Sequence, residues 1–185
     1  MKPRVAPAGD GWRLLMDRGA GTIEHPGGTL GAHLRRTAER LAAYGVDEEL
    51  VVAGRCHAAY GTAGFPVALL TLDERDLLRE RIGPHAEALV HEYCSCDRRL
   101  TYPAIGEAAP LMHDRWSGEA YPLPAERAAA FCNLTVANEL DIADQGYDYG
   151  TERDRFFGIL RSMGPHLIAA ARDDIEATEA RTAPG

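Results

Sequence analysis

Between Thr29 and Gly45 the chain reads TLGAHLRRTAERLAAYG, and its apolar residues return at helical spacing. Leu30, Leu34, Thr37, Leu41 and Tyr44 fall on one face, the pattern of a helix with a single buried stripe. The same period recurs along most of the chain, while the period-two alternation of strands is nearly absent. The expected fold class is therefore all-α. Thr29 can cap this helix and Gly45 can end it. Arg35, Arg36, Glu39 and Arg40 are expected on the wet face, and His33, beside Leu30 and Leu34, is expected to face inward.

The neighbouring segments extend this reading. Gly11–Met16 predicts a short helix, and the four glycines of Gly19–Gly28 predict a loop carrying His25 just before Pro26. His25 there can serve function or simply cap a turn. Asp47 can cap a third helix whose inner face includes Leu50, Ala53, Gly54 and His57. Gly54 suggests close approach by another helix, and Arg55 should point outward. A Tyr60-Gly61-Thr62 turn follows, then a loop to Leu70. Thr71-Leu72-Asp73-Glu74 reads as a capping box opening a helix that Gly83 ends. Pro84 begins another, and Pro124 suits the first turn of a long helix reaching about Asp144. Helices near Thr151–Met163 and Pro165–Glu179 complete the chain. Asp97–Leu123, with its prolines, is irregular. One domain over residues 1–185 is expected, with flexible ends at 1–10 and 178–185.

Composition narrows the function classes. A chain of 185 residues with 45% hydrophobic and 26% charged residues has the balance of a globular domain with a sizeable core. A formal net charge of -8 disfavours a nucleic-acid partner. No apolar run reaches the roughly 20 residues of a membrane span, and the start lacks a signal-peptide core, so a cytoplasmic location is expected. The four cysteines, Cys56, Cys94, Cys96 and Cys132, are expected to be free and mostly buried. Cys94 and Cys96 lack redox or zinc spacing and would point about 200° apart on a helix. No phosphate-cradling or dinucleotide glycine fingerprint and no nucleophile elbow is present.

Three inward residues on three predicted helices stand out: His33, His57 in AGRCHAAYGT, and Asn138 in LTVANELDIAD. This pattern resembles the HD-domain superfamily of helical, metal-dependent phosphohydrolases. Those proteins carry a histidine on one helix, a His-Asp pair at the end of the next and a distant aspartate on a later helix. ERIGPHAEALVHEY is similar to the part of bacterial alarmone hydrolase domains that follows that pair. His25–Asp97 also resembles an uncharacterised bacterial HD-like family with an AG..H..YGT segment. The resemblance implies an HD-like bundle, and the departures imply a dismantled metal site. Ala58 stands where the superfamily has a ligating aspartate, and Asn138 stands where it has the other. Two anionic ligands of a hard-cation site are thereby missing.

Three readings stay open. His33 and His57 can be hydrogen-bonded core histidines. They can line a metal-free small-molecule pocket, with His33 or His57 as acid/base and His25, Tyr60, Asn138 and Asp141 binding ligand. Or His25, His33, His57 and Asp141 can rebuild a site for iron or manganese and support hydrolase or oxygenase chemistry. The pocket reading, without a cofactor and with a slight lean toward an enzyme, leads; a non-catalytic binding or scaffold protein is the remaining alternative. Asp141 or Asp144, but not both, is expected at the pocket. Glu92 and Asp97 with Arg98 and Arg99 can form a polar cluster near the pocket mouth, but a surface ion-pair network is the leading expectation, and His85, His91 and His166 are expected at the surface. His113-Asp114 lacks the apolar helix that would make it a ligand pair. The sequence does not specify an oligomeric state.

Overall fold

The structure, a computed structural model, describes residues 9–183. The expectation for residues 1–8 and 184–185 lies outside the described residues. In chain order the helices are α1 (Gly9–Asp17), α2 (Leu30–Tyr44), α3 (Glu48–Cys56), α4 (Arg75–Ile82), α5 (Pro84–Ser95), the short α6 (Arg98–Thr101), α7 (Ala125–Asp144), α8 (Arg153–Ser162) and α9 (Ala169–Arg181). Two small antiparallel hairpins interrupt them: β1 (Glu24–His25) with β2 (Gly28–Thr29), and β3 (Leu111–His113) with β4 (Ala120–Pro122). The fold is all-α in character.

Local chemistry sets the boundaries. Thr29 Oγ1 accepts from the Ala32 amide at 3.2 Å, and Gly45 closes α2 in the left-handed region at φ 79°. Asp47 Oδ1 accepts from the Leu50 amide at 2.8 Å and starts α3. The Thr71–Glu74 capping box forms, but opens one 3-10 turn before α4. Within the glycine-rich stretch expected to be a loop, Pro26 and Gly27 make the turn of the β1–β2 hairpin, with Gly27 at φ 76°. Residues 178–181, expected to fray, continue α9, and Thr178 is buried. The irregular stretch before α7 gains order from α6 and the β3–β4 hairpin, where the Asp97 amide donates to the His113 carbonyl.

α2, α3 and α7 pack against one another, with α5 covering the far side of α3. Leu30, Leu34 and Leu41 of α2 and Leu134 and Leu140 of α7 are fully buried, each contributing on the order of 1.5–3 kcal/mol of burial. Gly54 lets α3 approach α2: a Cβ there would lie 2.3 Å from Leu41 Cδ1. The wet face of α2 is narrower than expected, because Arg36 and Arg40 turn inward. Arg40 reaches Asp174 and Asp144, both at 2.7 Å. Cys56, Cys94, Cys96 and Cys132 are free and buried, and burial pushes the first two thiols up to about 12, which makes them poor nucleophiles.

The close α2–α3 contact predicts that Gly54→Val lowers the unfolding free energy by about 1–3 kcal/mol through overpacking. Denaturant titration measures this, and a loss below about 0.5 kcal/mol would show that the two helices are not held at this separation.

Candidate functional site

The site is built where α2, the end of α3 and α7 meet. α2 carries His33; α3 delivers His57 as the first residue past its last turn; α7 carries Asn138 and, one turn later, Asp141. All four residues are at least 96% buried. His33 Nδ1 lies 2.6 Å from Asp141 Oδ2. On the opposite edge of the same ring, His33 Nε2 lies 2.9 Å from Asn138 Oδ1 and 3.2 Å from His57 Nε2. Arg36 grips Asp141 from behind, Nε to Oδ1 at 2.6 Å and Nη2 to Oδ2 at 2.9 Å. The same guanidinium donates to the carbonyls of Pro26 and Gly27, both at 3.3 Å, which fastens the β1–β2 turn to the site. His25, on that hairpin, stacks on His33 with ring centroids 4.1 Å apart.

The donor and acceptor roles follow from the partners. His57 Nδ1 faces the Gly54 carbonyl at 2.7 Å and must donate to it, which leaves Nε2 of a neutral His57 as an acceptor. Asn138 Nδ2 donates to Glu139 Oε1 at 3.0 Å, so its Oδ1, another acceptor, is the atom turned to His33. Both neighbours of His33 Nε2 therefore accept, and His33 Nδ1 faces a carboxylate. His33 thus links a carboxylate on one ring edge to two acceptors on the other. Burial acts to raise the Asp141 carboxyl, but the hydrogen bonds from His33 and Arg36 outweigh it and hold it below its ordinary range. Burial and the neighbouring His33 push His57 down to about 3. They likewise push His25 down to about 4.

Two imidazole nitrogens and an amide oxygen facing one point also form a donor set for a divalent cation, each ring oriented from behind by its Nδ1 partner. The set lacks a carboxylate. Asp141 sits behind His33 with its oxygens on His33 and Arg36, and among the described residues no group of three or more His, Cys, Asp or Glu side chains is placed to hold a metal.

A cavity of about 370 Å³ adjoins this cluster, and His25, His33, His57 and Asn138 stand on its wall. Tyr60 does not. Its hydroxyl turns the other way and donates at 3.0 Å to Glu87, a buried carboxylate already held by Arg75 at 2.7 Å. That buried acceptor, provided by α5, corrects the placement of Tyr60 as a ligand-binding residue. Neither Asp141 nor Asp144, one of which is expected at the pocket, is on its wall: Asp141 is held between His33 and Arg36, and Asp144 pairs with Arg40 and Arg181 at the surface. His113 and Asp114 lie at the β3–β4 hairpin. His91 is half-buried against Trp116 rather than superficial, and His166 Nε2 bonds the Glu107 carbonyl at 2.8 Å.

The wall also includes residues that helical spacing did not point to. Arg98, expected in a surface network, enters the cavity wall and donates to Glu139 Oε1 at 2.5 Å and to the Tyr93 hydroxyl at 3.0 Å. Glu92 and Asp97 do not join it: Glu92 pairs with Arg127, and Asp97 caps α6. Phe65, Ile142, Tyr147 and Tyr149 complete the apolar surface. The aromatic content of the 147–149 segment was the available signal for the last two.

The family described as a domain of unknown function (DUF6817) matches residues 14–98, a little under half of the chain. The matched segment holds His25, His33 and His57, whereas Asn138 and Asp141 lie beyond it. No curated protein and no solved structure matches the chain.

Neutral burial of His57 and His25 fixes a pH dependence. Their folded values lie below the ordinary 6.5, so the unfolded chain binds more protons as pH falls through that value. Stability should drop between pH 6.5 and about 5, above the range where most carboxylates titrate, by up to about 1.4 kcal/mol per pH unit for a fully buried histidine. His57→Gln and His25→Gln should each flatten that slope; melting curves across the window that are superimposable with the parent chain's would contradict it.

Proposed function

We propose that this chain binds and transforms a small molecule in the cavity, with His33 as the acid/base group and Asp141 as the residue that orients and charges it. One observation carries the reading: His33, a residue of the cavity wall, meets a buried carboxylate at 2.6 Å on one nitrogen and the wall residues His57 and Asn138 on the other. A carboxylate behind an imidazole fixes its tautomer and favours its protonated form. A substrate atom that enters between Asn138 and His57 meets an N–H donor on His33. After donation, the same nitrogen becomes the base that takes a proton back. His57 stays neutral and acts as the local acceptor, and Asn138, locked by Glu139, positions the ligand. His25 and Phe65, ring centroids 5.1 Å apart, supply aromatic flanks.

The positions of His33, His57 and Asn138 on successive packed helices support an HD-like ancestry in which Ala58 and Asn138 replace ligating aspartates. The convergence of two Nε2 atoms on an amide oxygen favours, as a second reading, a cation held by His33, His57 and Asn138. Such an ion would polarise a substrate oxygen or activate water. It would meet no uncommitted carboxylate there, and burying its charge without one is costly.

The test is consumption of components from a cellular metabolite extract by the purified chain in the presence of a chelator. The parent chain should deplete a discrete compound. His33→Gln should slow that by about 10²–10⁴-fold, the usual contribution of acid/base catalysis. Asp141→Asn should slow it and shift its pH profile. Equal consumption by His33→Gln and the parent would contradict the assignment. Stoichiometric iron or manganese by elemental analysis, lost in His57→Ala, would promote the cation reading.

A further inference from the structure

The cavity wall shows which ligand chemistry it can receive, and this inference rests on the proposed pocket. Its single guanidinium is already committed. Arg98 is held by Glu139 at 2.5 Å and by the Tyr93 hydroxyl, and lies over the Tyr93 and Tyr102 rings at 5.5 and 5.9 Å. Arg36 is outside the wall, engaged by Asp141 and two carbonyls. A phosphate dianion would need several free cationic or clustered amide donors, and beyond the committed Arg98 the wall offers only His33, whose Nε2 already faces Asn138 Oδ1 and His57 Nε2. Most of the wall is instead apolar or aromatic, from Leu30, Ala58, Phe65, Ile142 and the ring of Tyr147.

Two residues of that wall each carry a buried polar atom without a hydrogen-bond partner among the described residues. These atoms are His25 Nδ1 and the Tyr149 hydroxyl. Buried polar groups are nearly always paired, and an orphan costs the full loss of its hydration. Both belong to residues that line the cavity, one from the β1–β2 hairpin and one from the segment after α7. The Tyr149 hydroxyl stays a neutral donor, because burial and the nearby Glu139 raise its pKa.

We infer that the site takes a compact, largely apolar, ring-bearing molecule that presents an acceptor oxygen, carbonyl or carboxylate, to Tyr149 and His25, and that it rejects phosphorylated ligands. The oxygen completes the two orphaned groups. The ring lies among the aromatic side chains, with its reactive part toward His33.

Acetophenone, benzoate and phenyl phosphate probe this directly, since they share a ring and differ only in the polar group. Binding to the full chain is read by saturation-transfer NMR and titration. Acetophenone or benzoate should bind, phenyl phosphate should not, and the first two distinguish carbonyl from carboxylate recognition. Tyr149→Phe should weaken the bound probe about three- to tenfold, the range of one neutral hydrogen bond, while the variant's melting temperature stays near the parent's. Phenyl phosphate binding as well as or better than the others would overturn the ligand class and leave the His33 pocket standing. Unchanged affinity in Tyr149→Phe would also overturn it. Failure of all three probes would overturn both the class and the pocket.

Discussion

Three acceptor-bearing groups cannot face one another in a buried site without something positive between them. His57 Nε2 and Asn138 Oδ1 both approach His33 Nε2 within 3.2 Å, and each has its role fixed from behind. In the function proposed here one proton on His33 resolves the conflict, and Asp141 at 2.6 Å offsets its charge. Arg36 then balances the carboxylate and ties the His25 hairpin to it. Removing Asp141 would leave His33 and Arg36 without their shared buried acceptor, so the carboxylate, although off the cavity wall, is the residue on which the other contacts depend.

The helical scaffold exists in a form that can hold this arrangement. Gly54 removes the Cβ that would separate α3 from α2, and its carbonyl also receives His57 Nδ1–H. One residue thus sets the helix spacing and the histidine tautomer together. α7 is long enough to present Asn138 and Asp141 on consecutive turns, one to the Nε2 edge of His33 and the other to its Nδ1 edge.

What the sequence made legible follows the same division. Helical spacing placed His33, His57, Asn138 and Asp141 on inward faces because a regular element fixes direction from position alone. Tyr60 went elsewhere because its partner, Glu87, is a buried carboxylate far along the chain, and an acidic residue near a helix start reads as solvated. Arg98 read as a surface charge for the same reason: its partners Glu139 and Tyr93 come from two other helices. Arg36 and Arg40, spaced as a wet face, are drawn inward by Asp141 and Asp174. Phe65 and Tyr149 lie on irregular backbone, where no period predicts direction, and the Pro26-Gly27 turn was visible but the hairpin around it was too short to register.

The protonation of His33 is therefore the property to observe. Nitrogen-15 NMR of the histidine side chains at neutral pH distinguishes a protonated ring nitrogen from a lone-pair-bearing one. The account predicts two protonated-type nitrogens on His33, assigned through His33→Gln, together with a neutral His57 that carries its proton on Nδ1 alone. A His33 ring with one lone-pair-bearing nitrogen, or a His57 protonated on Nε2, would contradict it.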